Sequence, residues 1–155
     1  MTSVALRRLR PDEAEQLYAL KCACFPESYL GYSVFRSPKS VAHLRALAQE
    51  SLAARHPVLV AGDFEGYAQG TLRQEAIHLD YIGVHPGHAG KGLGGVLLGA
   101  FETVGREGGA KVATLDVFAS NPNVRDWYER YGYEVVKETI MSTVNLKSVA
   151  AEDSG

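Results

Sequence analysis

The stretch Val84-His85-Pro86-Gly87-His88-Ala89-Gly90-Lys91-Gly92-Leu93-Gly94 decides the fold, because it joins two segments of different periodicity. Before it, Ala76 to Val84 (AIHLDYIGV) reads as a strand. After it, Leu93, Val96, Leu97, Ala100, Phe101 and Val104 recur at helical intervals until Gly108-Gly109. The loop thus lies between a strand end and a helix start. A helix N-terminus offers unpaired N–H groups and a positive dipole end, and glycines let phosphate oxygens approach the backbone. The pattern points to a phosphate-bearing ligand, with a tight ligand-free turn as the plainer alternative. Gly90, Gly92 and Gly95 also fit G-x-G-x-x-G, with Asp116 downstream. A dinucleotide turn, however, begins at the strand end, and here the HPGHA segment intervenes. A Walker loop is excluded, since no Gly-Lys-Ser/Thr occurs.

Working outward, Val4 to Leu9 predicts a first strand, and Pro11-Asp12-Glu13 opens a helix with Leu17, Leu20 and Cys24 on its inner face. Phe25 to Pro38 (FPESYLGYSVFRSP) is an aromatic-rich loop of the kind that contacts a ligand. A second helix is expected from Ser40 to Ala54, with Val41, Leu44, Ala48 and Leu52 inward. Pro57 to Ala61 and Gly66 to Leu72 form a strand pair around the turn Gly62-Asp63-Phe64-Glu65. Beyond the central helix come a strand over Lys111 to Phe118 and a helix capped by Asn121, whose Val124, Trp127, Tyr128 and Tyr131 share a face. Gly132 ends that helix, and strands follow around Glu134–Val136 and Ile140–Leu146. This order predicts an α/β (α+β) mixed sheet with helices packed on it.

The 155 residues suit one domain, expected over 1–148 with a polar tail at 149–155. Apolar residues make up 46% and charged ones 22%, which argues against disorder. A net charge of −2 supplies no bulk attraction to nucleic acid or to an anionic membrane, so neither is expected as a partner. The first residues read as no signal peptide, and no apolar run spans a bilayer. Cys22 and Cys24 are too close for an ordinary disulfide, which fits a reducing, cytoplasmic location. His85 and His88 lie three apart without a third ligand, so no metal is expected.

The loop VHPGHAGKGLG resembles the coenzyme A loop of GNAT-type N-acetyltransferases, V-x-P-x-x-R/Q-G-x-G-x-G/A. A second motif of that family, an asparagine, an aromatic-Tyr pair and Gly-aromatic, is matched by Asn121…Trp127-Tyr128…Gly132-Tyr133. The resemblance runs over residues 3–147 in element order as well as motif. It implies a GNAT fold: a mixed, mostly antiparallel central sheet of about seven strands flanked by about four helices, splayed between the fourth and fifth strands. It also implies acetyl-CoA as co-substrate and direct transfer of its acetyl group to a primary amine, on a small molecule or peptide, in a ternary complex. The family's Arg or Gln is Ala89 here, which removes a charged contact to the pyrophosphate.

On that resemblance, coenzyme A lies against Ile82, Gly83 and Val84, the loop residues His88, Ala89, Gly90, Lys91, Gly92, Leu93 and Gly94, and Asn121 and Tyr128. Tyr128 is the expected acid for the leaving thiolate, while Trp127 and Tyr131 are expected in the core. Acetyl transfer also needs a neutral amine, and lysine-like amines titrate near ~10.4. Alternation puts His78 and Asp80 on one strand face, with Asp80 the first candidate for base and His78 the second. Asp116, on the neighbouring strand, is a further candidate near the acceptor. The oxyanion is expected to meet main-chain N–H near Val84, where the strand is expected to splay at Gly83. Phe25, Glu27, Tyr29 and Tyr32 fall where the family builds its acceptor wall, and the last strands of the family often pair across a homodimer. The rival readings are a non-catalytic acyl-CoA-binding module, suggested by Ala89, and a nucleotide-binding regulator.

Overall fold

A computed structural model describes residues 5–24, 38–118, 122–138 and 142–150. Among these the chain forms seven strands: β1 Leu6–Arg8, β2 Val58–Ala61, β3 Gly66–Arg73, β4 Ala76–Val84, β5 Val112–Phe118, β6 Glu134–Glu138 and β7 Ser142–Ser148. Four helices of some length flank them: α1 Ala14–Cys24, α2 Pro38–Leu47, α4 Leu93–Glu107 and α5 Pro122–Arg130. A single turn, α3 Glu50–Ala53, follows α2. The strands form one sheet in the order β1-β2-β3-β4-β5-β7-β6. All its pairings are antiparallel except β4 with β5.

Each face of the sheet carries its own core. On one side Leu93, Leu97, Leu98 and Phe101 of α4 pack on Leu59, Ile77, Leu79 and Leu115, joined at one end by Tyr128 of α5. On the other, Leu17 and Leu20 of α1 and Leu44 of α2 pack on Val58, Val60 and Tyr67. A half-buried ion pair anchors the entry to α1. Arg7 of β1 donates to both carboxylate oxygens of Glu13, at 2.6 and 2.7 Å, and the Arg10 N–H adds a third bond at 3.0 Å. The Arg7 hydrogen bond holds the Glu13 carboxyl below the usual carboxylate range. Glu102 of α4 takes bonds from Tyr133 and Lys147, both at 2.8 Å, fastening that helix to the far strands.

Several sequence expectations need adjustment. The helix expected over 40–54 is two, because Gln49 adopts extended dihedrals (φ −72°, ψ 148°) between α2 and α3. Leu52 is consequently 36% exposed instead of lying in the core. Val96 of α4 also faces outward, its place in the buried stripe taken by Leu98. On α5, Tyr128 is buried but Val124 and Tyr131 are 40% and 39% exposed. Tyr131 is therefore not core; it lies over Gly95 at the start of α4. Val149 is buried, and its N–H bonds to the Lys111 carbonyl at 2.8 Å.

β3 and α4 meet closely at Gly70, where an added Cβ would strike the Phe101 ring and the His78 carbonyl. Neither can yield, since Phe101 is fully buried and the other atom is backbone. Gly70→Ala should lower stability by roughly 1–3 kcal/mol, as overpacked cores do. Urea unfolding measures it, and an unchanged midpoint would contradict this packing.

Candidate functional site

The site grows from a break in the sheet. β4 and β5 pair only from Ala76↔Val112 to Leu79↔Leu115, although both strands continue. Past that rung β4 stays bonded to β3 as far as Val84, and β5 stays bonded to β7 as far as Phe118. Each strand is thus held on its outer edge while the inner edges part. The parting starts just beyond Leu79, four residues before the expected Gly83, because β4 bulges there. Gln69 and Gly70 are adjacent on β3, but their partners on β4 are Tyr81 and Leu79, which leaves Asp80 as the extra residue.

The bulge also changes which face each side chain takes. Ile77 and Leu79 join the α4-side core, Tyr81 joins the α1-side core, and Ile82 and Val84 return to the α4 side. Asp80 and Asp116 are the first residues beyond the last shared rung, one on each lip of the opening.

At the far end of β4 the glycine loop turns into α4. Gly90 and Gly92 have φ of +81° and +79°, and a Cβ at either would touch nothing within 4 Å. These positions need glycine for its left-handed conformation, and they leave the backbone open to a ligand. Gly92 caps α4, so the N–H groups of Leu93, Gly94 and Gly95 head the helix. Ala89 and Lys91 are exposed beside them. His88 is turned toward Glu65, with Nδ1 3.9 Å from Oε1, and His85 Nδ1 accepts the Gly87 N–H at 3.0 Å. No group of metal-ligating side chains occurs among the described residues. Loop and parted strands together suit a long ligand with phosphates at one end.

Tyr128 stands on the α4 side of the opening, in the same core as Ile82, Val84 and Val117. Trp127 and Tyr133 contact its ring edge-on, with centroids 4.9 and 5.8 Å away. Burial pushes its hydroxyl up to about 12, so it stays protonated at neutral pH.

The opposite face carries a cavity of about 630 Å³ between α2 and strands β3 to β5. It brings together His78, Asp80 and Asp116, as strand alternation predicted for the first two. His78 Nδ1 lies 2.7 Å from the Thr114 hydroxyl and Nε2 lies 3.4 Å from Asp116 Oδ2. With a neutral ring, Nε2–H faces the carboxylate and Nδ1 accepts from Thr114. The Thr71 hydroxyl donates to Asp80 Oδ2 at 2.8 Å, and His56 Nδ1 approaches the same hydroxyl at 3.4 Å. Phe25, Glu27, Tyr29, Tyr32 and Asn121 lie outside the described residues.

Four residues escaped the sequence reading. His43 of α2 and His56 line the cavity, as does Gln69 of β3. Lys21 is buried, its ammonium 4.0 Å from the Tyr81 ring centre and 5.2 Å from that of Tyr67. Burial lowers its pKa to about 7, opposed by the negative charge of Asp80. The signal for Lys21 was present: it falls four residues after Leu17 and three before Cys24, on the inward stripe of α1.

The chain matches the family model of the acetyltransferase (GNAT) family over residues 14–133. It belongs to that family. Solved structures share the fold. A GNAT-family protein of Desulfovibrio desulfuricans is 20% identical, with 96% of this chain and 100% of that one covered and a TM-score of 0.75. A ribosomal-protein alanine N-acetyltransferase of Escherichia coli is 17% identical, with 98% and 97% covered and a TM-score of 0.74. The yncA protein of Salmonella typhimurium, solved with acetyl-CoA, is 18% identical, with 99% and 100% covered and a TM-score of 0.70. No curated protein sequence matches the chain.

The buried Lys21 gives stability a definite pH dependence. Its folded pKa of about 7 lies below the ordinary ~10.4, so between these values the unfolded chain binds the extra proton. Stability attributable to Lys21 therefore rises as pH climbs from about 7 toward ~10.4. Cys24, whose thiol burial pushes up to about 11, works the other way, so the comparison must be with a variant. Lys21→Met should be favoured over wild type by on the order of a few kcal/mol at pH ~6.5, a gap that closes toward pH ~10. Melting both proteins across that range tests it; a constant difference would remove the linkage.

Proposed function

We propose that this protein transfers the acetyl group of acetyl-CoA directly to a primary amine in a ternary complex. The observation that carries the reading is the opening between β4 and β5, which begins at the Asp80 bulge and runs toward the glycine loop. In this reading the pyrophosphate rests on the amides from Ala89 to Gly94, with Lys91 beside it and Asn121 as a further contact. The pantetheine arm lies along the parted edge of β4 at Ile82, Gly83 and Val84. Alternate residues there turn N–H and C=O into the gap, where an amide-bearing arm satisfies them.

The acceptor enters from the α2 side. Asp80, directly or through water, takes the amine's proton; His78 is the second choice, and Asp116 helps hold the amine. The nitrogen then bonds to the acetyl carbon, the oxyanion meets main-chain N–H near Val84, and the C–S bond breaks. Tyr128 waits on the other face. Because its hydroxyl holds its proton more tightly than a thiol of pKa ~8.5, it serves the departing thiolate first as a hydrogen-bond donor. The phenol and the carboxylates thus act from opposite sides of the sheet. The aromatics Phe25, Tyr29 and Tyr32, with Glu27 among them, would wall the acceptor side.

The second reading, an acyl-CoA-binding module without catalysis, is favoured by Ala89, which leaves the pyrophosphate without the family's Arg or Gln. Calorimetric titration with acetyl-CoA, followed by thiol release in the presence of amines, separates the two. Micromolar binding with amine-dependent release is expected; binding without release favours the module, and no binding at millimolar concentration removes both. Tyr128→Phe should keep the binding constant while slowing transfer by about 10²-fold, and an unchanged turnover would take Tyr128 out of the chemistry.

A further inference from the structure

We propose that His56 and Thr71 are positioning residues for the base. A hydrogen-bonded chain from His56 Nδ1–H through the Thr71 hydroxyl to Asp80 Oδ2 fixes that carboxylate and leaves Oδ1 to take the amine's proton. The inference rests on the acetyl-transfer reading above and deepens its proton step.

Asp80 needs such a support. It is the extra residue of the β4 bulge, so no residue of β3 stands opposite it, and its side chain is exposed. Neither register nor packing then selects its rotamer. Thr71 does, since its hydroxyl donates to Oδ2 at 2.8 Å. A hydroxyl has one proton, and that of Thr71 goes to the carboxylate. His56 Nδ1, 3.4 Å from the same oxygen, therefore bonds to it only as a donor. The chain thereby sets the tautomer of His56, with the proton on Nδ1 and Nε2 as the acceptor.

The backbone places both supports. The Leu72 N–H bonds to the Arg55 carbonyl at 2.7 Å and the Gly70 N–H to the Pro57 carbonyl at 3.1 Å. The residues on either side of Thr71 thus clasp those on either side of His56. His56, Thr71 and Asp80 all line the same cavity.

The second candidate for base is differently placed. The Thr114 hydroxyl lies 2.7 Å from His78 Nδ1, and Asp116 Oδ2 lies 3.4 Å from Nε2. With a neutral ring both nitrogens are engaged, and neither offers a lone pair to an amine proton. The geometry therefore separates the two candidates in favour of Asp80. The other titratable groups around it are Asp116 of β5, His43 of α2 and Lys21 of α1, whose positive charge acts on Asp80. Atoms balance as in the transfer itself: ammonium and acetyl-CoA give amide, coenzyme A thiol and one proton, which Asp80 passes to solvent.

Two measurements test the chain. NMR of the ring nitrogens in histidine-labelled protein, without ligand and at a pH where the ring is neutral, should show His56 protonated at Nδ1. Thr71→Val should abolish that preference. Wild-type His56 protonated at Nε2 instead would overturn the proposal. The kinetic arm is thiol release at saturating acetyl-CoA, with n-butylamine, glucosamine and an alanine-initiated peptide as acceptors, carried on with the fastest. Thr71→Val should lower kcat about tenfold with the KM of each substrate within about twofold, and Thr71→Ser should restore the rate. His56→Leu should also lower kcat, and His56→Asn, which keeps an N–H near the position of Nδ1, should recover part of the loss. In Asp80→Asn, adding Thr71→Val or His56→Leu should change little, because residues acting through one group are not additive. Full additivity, or wild-type kcat in Thr71→Val, would overturn the chain and leave acetyl transfer standing. Absence of amine-dependent release from the wild type with all three acceptors would remove the transfer reading and the chain's role with it.

Discussion

The proposed function depends on two parallel strands that stop pairing before they end. After Leu79↔Leu115 the β4 and β5 backbones separate, yet neither frays, because β3 holds one and β7 the other. An interrupted sheet normally exposes N–H and C=O groups that demand partners. Here those groups line a slot inside a sheet that is otherwise continuous over seven strands. The antiparallel neighbours hold the outer edge of each strand, and α4 and α5 close one side of the slot with a largely apolar core that includes Tyr128.

The bulge at Asp80 converts this break into a two-sided site. One extra residue turns β4 over, so side chains that alternate between faces no longer do so in step. A carboxylate emerges on the α2 side at the level where the strands part, while Ile82 and Val84 return to the α4 side beside Tyr128. Polar and apolar environments are thereby separated by one layer of backbone. A protonated phenol persists on the dry side, and solvated carboxylates with imidazoles gather on the wet side.

Lys21 shows how far the fold bends side-chain chemistry to its geometry. Its alkyl stem occupies a position on the inward stripe of α1, and its ammonium is carried under the sheet against Tyr81 and Tyr67. Ring faces and the nearby Asp80 recover part of the lost hydration, but burial dominates. Period alone marked the position as inward. It did not show that a charged group would fill it, since the usual expectation for lysine is exposure.

The sequence by itself determined the family, the element order and the ends of the key segments. β4 spans Ala76–Val84 and α4 begins at Leu93, as periodicity and the glycine loop required, because backbone conformation at Gly90 and Gly92 is a local property. It also put His78 and Asp80 on one face, which follows from alternation over a short run. Contacts between distant segments were decided only by the tertiary structure. The break after Leu79 depends on which strands flank β4 and β5, and the exposure of Tyr131 depends on where α5 meets Gly95. The cavity likewise exists only once α2, β3, β4 and β5 are assembled, bringing His43, His56 and Gln69 to the two aspartates. Local dihedral preferences are written residue by residue, whereas neighbours remote along the chain are chosen by the packing of whole elements.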